Sequence, residues 1–395
     1  MSDAGTKGAK EPKATEPKAA EPKATEPKAA NEGDDIKVLQ GVGGFNTRPL
    51  FKLMVDRSAS DLFFTPNAPL KIKIEGQIHA VNKQVMSPDS VRAAAFSLMT
   101  PEQIEYFQRE LEIDFAISEK GLGRFRVAIF YQRGYPAMVM RYITAEMPRI
   151  DQLGLPEILT DLTKLKRGLI LMVGATGSGK STTLASMVNY RNENFSDHII
   201  TIEDPIEFLH SNKRSIVNQR EVGLDTKNYA RALKGAMRAA PDVILIGEIR
   251  DQESMEAAIN LAGTGHLVLA TLHANNCAET LDRIINMFPH QQHPQILLDL
   301  SQYLRAILAQ RLVPGVDGRR AAAVEVMLNT PHISDLIRRG DVSSIKEAIV
   351  NSAEKGILSF DNSLVQLFKA GRISMDEALA NADSRTNLEA RINFG

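Results

Sequence analysis

The sequence predicts an α/β protein with a parallel-core sheet, preceded by a small α+β domain. Three observations carry this expectation. From about residue 157, short apolar runs alternate with helical patterns: Leu169–Val173, Ile199–Ile202, Val243–Ile246 and Leu267–Leu272. Strands buried on both faces of a parallel sheet read this way. The glycine-rich segment Gly174-Ala175-Thr176-Gly177-Ser178-Gly179-Lys180-Ser181 follows the first run and opens a helix through Leu184 and Met187. Earlier in the chain the period is two. Leu70, Ile72 and Ile74 alternate with Lys71, Lys73 and Glu75, and Phe125, Val127, Ile129 and Tyr131 alternate with Arg124 and Arg126.

The chain has 395 residues, which at roughly 150 per domain allows two or three domains. Residues 1–36 read as a disordered tail. Glu-Pro-Lys-Ala occurs four times there with a period of five, and no aromatic or large aliphatic residue stands between Met1 and Ile36. Proline every fifth residue opposes a helix, and nothing in the tail can form a core. Residues 37–147 form the α+β domain. It has a hairpin turning at Glu75-Gly76, helices over Ser87–Met99 and Pro101–Leu111, and a second hairpin turning at Gln132-Arg133-Gly134 into Ala137–Ile143. Alternation places Arg124 and Arg126 on one face of their strand, opposite Phe125 and Val127. Residues 148–156 are a linker. Residues 157–382 carry the parallel sheet and, from Pro331, helices. Residues 383–395 are a polar tail expected to fray.

Composition excludes several classes. The 47 basic and 48 acidic residues leave a net charge of −1. With no basic, aromatic-interleaved stretch, this argues against a nucleic-acid partner. The single cysteine, Cys277, permits neither an intrachain disulfide nor a tetracysteine metal site, and a reducing cytoplasmic setting is expected. No apolar run approaches the ~18 residues of a membrane span, and the N-terminus lacks the apolar core of a signal peptide. Membrane association is therefore expected through a partner, not by direct insertion.

Four segments carry chemistry. The first, Gly174 to Ser181, matches the phosphate-binding loop at every fixed position, and Thr182 continues it into the helix. Glycines let backbone N–H groups approach the phosphates, the helix N-terminus adds positive potential, Lys180 reaches the β- and γ-phosphates, and the Ser181 hydroxyl ligates Mg²⁺. ATP and Mg²⁺ are the expected ligands. The second, Thr201-Ile202-Glu203-Asp204-Pro205-Ile206-Glu207, ends an apolar strand with clustered carboxylates. Ligands of open parallel sheets sit at such ends, so Glu203 and Asp204 are expected near the metal, with a solvated proline loop as the plain alternative. The third, Asp242 to Asp251, is an apolar strand ending in Gly247-Glu248. Gly247 stands where many phosphate-loop enzymes carry aspartate, so Glu248 is assigned to polarising the attacking water, and the metal's acidic support must come from Glu203 or Asp204. The fourth, Gly265 to His273, places histidines at both ends of a strand. Seven steps of ~3.3 Å hold them roughly 23 Å apart, so only His273, at the carboxyl end, is the phosphate-sensing candidate. His266 is left for another role, such as a subunit boundary. His290 and His293, flanked by Pro289 and Pro294, read as loop residues. A positive charge opposite the γ-phosphate is also needed. Arg124, Arg126, Arg133 and Arg141 lie outside the nucleotide domain, which suggests supply across a subunit interface. The alternative is ordinary surface strand charge.

These four ordered boxes resemble those of the type II/type IV secretion ATPase family: Walker A at Gly174–Ser181, the aspartate box at Thr201–Glu207, an atypical Walker B at Ile244–Asp251 and the histidine box at Gly265–His273. The resemblance covers about residues 40–380. Ala59–Phe64 and Lys71–Val81 look like the short PAS-like domain of the retraction branch. The assembly branch has a longer N-terminal region and four metal-binding cysteines. Around Asn329–Arg338 the principal retraction motors carry an Ala-Ile-Arg-Asn-Leu-Ile-Arg-Glu run, of which this sequence keeps only part. With Gly356–Asp361, that places it nearest the accessory motors of the branch. The resemblance implies a RecA-like ATPase domain and a homohexameric ring with ATP between each N-terminal domain and a neighbour's ATPase domain. It also implies an inner-membrane platform protein and a principal retraction ATPase as partners, and a cytoplasmic location at the pilus base. The activity implied is ATP hydrolysis driving type IV pilus retraction and twitching motility, with Glu248, Glu203, His273, Arg126 and Arg141 catalytic. Arg126 and Arg141 best match the family's trans-acting arginines. A pilus-assembly or type II secretion motor is the alternative within the family, and a RecA-like or DNA-transfer ATPase acting on nucleic acid is the alternative outside it.

Overall fold

The computed structural model describes residues 40–41, 44–74, 76–143 and 147–394. The repeat tail at 1–36 and the turn residue Glu75 lie outside them. The N-terminal unit contains α1 (Arg48–Asp56), β1 (Asp61–Phe64), β2 (Pro69–Ile74), β3 (Gln77–Val85), α2 (Pro88–Phe96), α3 (Pro101–Glu110), β4 (Glu112–Glu119), β5 (Gly123–Gln132) and β6 (Tyr135–Ile143). These six strands form an antiparallel sheet in the order β3-β2-β1-β6-β5-β4, and Gln40–Gly41 pairs with Gly44–Phe45 in a separate short ladder. The helices start where sequence chemistry lets them. The Ser87 hydroxyl accepts from the Ser90 N–H ahead of α2, and Thr100 and Gln103 form a reciprocal capping box at α3, with proline at the first helical position of each. The period-2 reading of β5 is borne out: Phe125, Val127 and Ile129 are buried. Phe51 of α1 stacks on Phe125 with centroids 4.4 Å apart, a contact worth about 0.5–1.5 kcal/mol beyond its buried area. That apolar packing fixes the opposite face, and the arginines it bears, in place.

The second unit contains α4 (Ile158–Thr163), β7 (Gly168–Val173), α5 (Lys180–Asn194), β8 (His198–Glu203), β9 (Ile216–Glu221), α6 (Tyr229–Ala236), β10 (Val243–Ile246), α7 (Gln252–Gly263), β11 (Leu267–Leu272), α8 (Cys277–Asn286), α9 (His293–Tyr303), β12 (Leu304–Pro314) and β13 (Arg320–Leu328). Helices α10 (Pro331–Arg339), α11 (Ser343–Val350), α12 (Phe360–Lys369), α13 (Met375–Ala380) and α14 (Arg385–Phe394) follow. The seven strands run β9-β8-β10-β11-β7-β12-β13, parallel throughout except for β13. All four expected strands are present, and every residue of β7, β10 and β11 is buried. The sheet separates two apolar layers, one built on α6 to α9 and the C-terminal helices, the other on α4 and α5.

The structure departs from the expectations in three places. Strands β9, β12 and β13 were not anticipated. β12 follows α9 without a glycine or proline break and is buried on both faces, so it has no alternation to read. The polar stretch after Asp383 is not frayed, because α14 docks through Leu388, which is fully buried, and the backbone N–H groups of Asp383 and Ser384 donate to Asp361. His290 and His293 are not loop residues. His290 opens a single 3₁₀ turn and His293 begins α9, where Pro294 is tolerated in the first turn. Leu388→Ala should destabilise the C-terminal part of the protein by about 2–4 kcal/mol through cavity formation, measured as a lowered urea midpoint. A midpoint equal to that of the parent chain would show that α14 is not docked in solution.

Candidate active site

The phosphate loop runs from the end of β7 into α5. Gly174 and Gly179 have φ of +149° and +86°. A Cβ at Gly174 would stand 2.4 Å from the Gln310 carbonyl, and one at Gly179 would stand 2.7 Å from the Gln310 amide nitrogen, so the loop can lie against β12 only with glycine at both positions. Lys180 is 9% exposed. Its Nζ donates to the carbonyls of Gly174 (2.8 Å) and Ala175 (2.9 Å) and to no carboxylate. Burial lowers its pKa, against the pull of Glu248 and Glu207. The buried Ser178 hydroxyl has no partner among the described residues. A buried cation without a counter-anion, beside an unpaired hydroxyl and a glycine cradle, is chemistry suited to a phosphate chain.

The carboxyl ends of β8, β10 and β11 converge on the same place. A cleft of about 540 Å³ is lined by Thr176, Gly177, Gly179, Lys180, Ser181, Thr182, Glu203, Asp204, Glu248, His273, Arg126 and Arg141, with Tyr229, Arg250 and Arg320. Glu203 is 9% exposed. It accepts from the Thr201 hydroxyl at 2.6 Å and from Gln219 Nε2 at 3.3 Å, and burial raises its pKa. Glu248 accepts from Arg250 Nε at 2.6 Å and pairs with His273 Nε2 at 2.8 Å. Each carboxylate oxygen keeps a further lone pair for a water. Arg250 also reaches Asp204, at 3.4 Å. The glycine at 247 has a steric cause: a Cβ there would meet the Glu203 Cα at 3.1 Å and the Ile202 carbonyl at 3.2 Å. Both acids that the sequence offers in place of the one missing from β10, Glu203 and Asp204, lie at the end of the neighbouring strand and line the cleft. Ser181, Glu203 and Asp204 all face the cleft, while no group of three potential metal ligands stands preassembled among the described residues. That suits Mg²⁺, which takes few protein ligands beside phosphate oxygens and water.

Two of the four arginines reach the cleft within one chain. Arg126 and Arg141 are paired directly across β5 and β6, and both face the cleft of their own chain. Supply across a subunit interface is therefore not needed to bring them to Lys180. Each has a carboxylate partner, Asp114 for Arg126 and Asp61 for Arg141 (2.9 Å), which offsets the repulsion of like charges placed directly opposite. Arg124 is not in the cleft; it forms a buried pair with Glu221 at 2.6 Å. Arg133 sits in the β5–β6 turn with φ of +50°. His266 lies at the far end of β11, where Nδ1 is 3.0 Å from the Leu261 carbonyl and 3.2 Å from the Thr264 hydroxyl. It ties off the end of α7.

Sequence reasoning missed Gln310, Tyr229, Arg250 and Arg320. Gln310 is 3% exposed. It donates to the Ser178 carbonyl at 2.7 Å and accepts from the Thr183 hydroxyl at 2.8 Å. Its strand was itself unread, so nothing in the sequence pointed to it. Arg320 Nη1 lies 3.4 Å from the Gly177 carbonyl.

The family model described as "Type II/IV secretion system protein" matches residues 47–378. The chain belongs to this family. It is 49% identical over 347 residues to the "Type IV pilus ATPase PilU" of Pseudomonas aeruginosa, covering 88% of this chain and 91% of that protein. It is 38% identical over 333 residues to the "Type IV pilus retractation ATPase PilT" of the same organism, covering 84% and 97%. A crystal structure described as the pilus retraction motor PilT with bound ADP superposes with a TM-score of 0.80 at 40% identity, covering 86% of this chain and 98% of that one. These similarities bear out the resemblance to the retraction branch and the phosphate-loop α/β fold. No helix among the described residues is long and apolar enough to cross a membrane.

Gln310→Ala should weaken binding of a fluorescent ATP analogue about 10-fold, because two buried hydrogen bonds that hold the phosphate loop are lost. Equilibrium titration of the purified variant checks this, and unchanged affinity would remove Gln310 from the site.

Proposed function

We propose that this chain is an ATP-hydrolysing motor subunit that acts in a ring of six at the cytoplasmic base of a type IV pilus and draws the pilus back, as an accessory to a principal retraction ATPase. The observation that carries the reading is the convergence on one cleft of the phosphate loop, Glu203, Glu248, His273 and the arginine pair Arg126 and Arg141. The similarity to proteins named as pilus and retraction ATPases supports the pilus role. The accessory role rests on the departure at His332–Arg338, which lies in α10. The inner-membrane platform protein is the mechanical partner in this reading. The chain divides at residues 37–147, 148–156 and 157–382, with the repeat tail as a spacer.

In the proposed mechanism Lys180 exchanges its two carbonyl partners for phosphate oxygens, and the loop N–H groups take the rest of the charge. Mg²⁺, held by Ser181 with Glu203 or Asp204, would neutralise charge on the phosphates and orient them. Glu248 accepts a hydrogen bond from the attacking water and draws its proton away as the water oxygen bonds to the γ-phosphorus and the bond from that phosphorus to the β,γ-bridging oxygen breaks, giving phosphate and ADP. His273, paired with Glu248, reads whether the γ-phosphate is present. Arg126 and Arg141 stabilise the charge that develops on the transferred group. Because they belong to the other domain, loss of the γ-phosphate removes their reason to stay close, and the domain angle changes.

Lys180→Ala should abolish ATP binding, whereas Glu248→Gln should still bind Mg·ATP but turn over about 10²–10⁴-fold more slowly. Nucleotide titration and phosphate release measure the two, and near-parent turnover in either variant refutes its assignment. Each cleft draws its arginines from its own chain, so rings mixed from Arg126→Ala and Lys180→Ala subunits should stay inactive at every ratio. Activity reappearing in rings shown to be mixed would establish supply in trans. Deleting the gene should reduce twitching under load while pili persist or increase in number. A strain without any surface pili would refute the retraction reading in favour of assembly, and normal retraction on this protein alone would refute the accessory role.

A further inference from the structure

Glu221 ends β9, in register with Glu203 at the end of β8. Its Oε2 accepts from Arg124 Nη2 at 2.6 Å and from the Ile206 backbone N–H at 3.1 Å. Arg124 comes from the N-terminal sheet and stands two residues from Arg126 on the same face of β5. Ile206 stands two residues beyond Asp204. One carboxylate oxygen thus joins the strand that carries a cleft arginine to the loop that carries a cleft acid. The side chains of Arg124 and Glu221 are 12% and 6% exposed, and theirs is the only ion pair between the two domains among the described residues. Arg124 Nε is buried and has no hydrogen-bond partner among the described residues. Glu221 is itself held rigidly: its N–H donates to Asp225 Oδ2 at 2.8 Å, and its carbonyl receives the N–H groups of Leu224, Asp225 and Thr226. The loop and the N-terminal sheet meet a second time, where Leu209 and the Ser118–Gly123 turn line one open hollow.

We propose that Glu221 is a positioning residue for hydrolysis: it locks β5 and the Asp204–His210 loop into one geometry, so that Arg126 and the acidic loop reach the cleft together. This rests on the ATPase reading above. Neither residue lines the cleft that holds Lys180, so nucleotide should bind without the pair. Buried and weakly screened, it is a connection whose loss leaves an uncompensated charge on one side.

The test uses the full chain and three measurements: binding of a fluorescent ATP analogue, steady-state ATP turnover, and amide hydrogen exchange. Glu221→Gln, nearly isosteric, should keep analogue affinity within about threefold and lower kcat about 10-fold or more, since a displacement of ~1 Å can cost ~10²-fold in rate. Arg124→Ala should do the same, and the double variant should be no worse than the more impaired single, because the two act through one contact. Arg124→Lys, which keeps the charge on a shorter reach, should restore part of the rate lost in Arg124→Ala and serves where the other variants fold poorly. Exchange should accelerate at both 123–132 and 204–210 while 168–194 stays protected. Unchanged kcat, losses that multiply in the double variant, or acceleration confined to one segment would each overturn the proposal. A parent protein that hydrolyses no ATP would instead refute the ATPase reading, and the exchange measurement would still decide whether Glu221 couples the two segments.

Discussion

The phosphate loop is held from behind by a single amide side chain. Gln310 gives its N–H to the Ser178 carbonyl and takes the Thr183 hydroxyl, so its two ends grip the loop on one side and the first turn of α5 on the other. Its backbone carbonyl fills the space that a side chain at Gly174 would need. Everything at the cleft depends on this grip. Lys180 can remain buried with its charge turned into the loop only if the loop keeps its shape, and that shape decides where the phosphates lie relative to the acids on the neighbouring strands. The cost of burying a polar side chain is offset because both ends of the amide are satisfied.

The acids divide their work between strands for a steric reason. With Gly247 packed against the backbone of Ile202 and Glu203, the end of β10 brings one carboxylate to the cleft, Glu248, and the end of β8 brings Glu203 and Asp204. The two glutamates differ electrostatically. Burial pushes Glu203 toward the neutral form, a preference that a bound divalent cation reverses, whereas Glu248 is flanked by Arg250 and His273. One carboxylate is buried among neutral hydrogen-bond donors and the other sits beside an arginine and a histidine, although both stand at the carboxyl ends of adjacent parallel strands.

Much of this was legible in the sequence because it depends on local spacing. The phosphate loop, the four apolar strands and the acids and histidine at their ends follow from strand-turn-helix order and from the rule that ligands sit at carboxyl ends. The alternation in β5 placed Arg124 and Arg126 on one face, but it could not tell that Arg124 would turn to Glu221, 97 positions away, while Arg126 turned to the cleft. Gln310, Arg320 and Tyr229 were illegible for the same reason. Their roles come from tertiary approach, and β12 and β13 carry no periodic signal because both faces are buried. The helix at Arg385–Phe394 was hidden by its polar surface, since one buried leucine is enough to dock it.

Arg126 and Arg141 stand opposite each other on adjacent strands of one sheet. They cannot approach or leave the cleft separately: any tilt of the N-terminal domain carries both guanidinium groups, with the Asp114 and Asp61 carboxylates that pair with them, in a single movement. A site served by one arginine would lose potential gradually as the domains separate. A site served by a rigid pair loses two such contributions together.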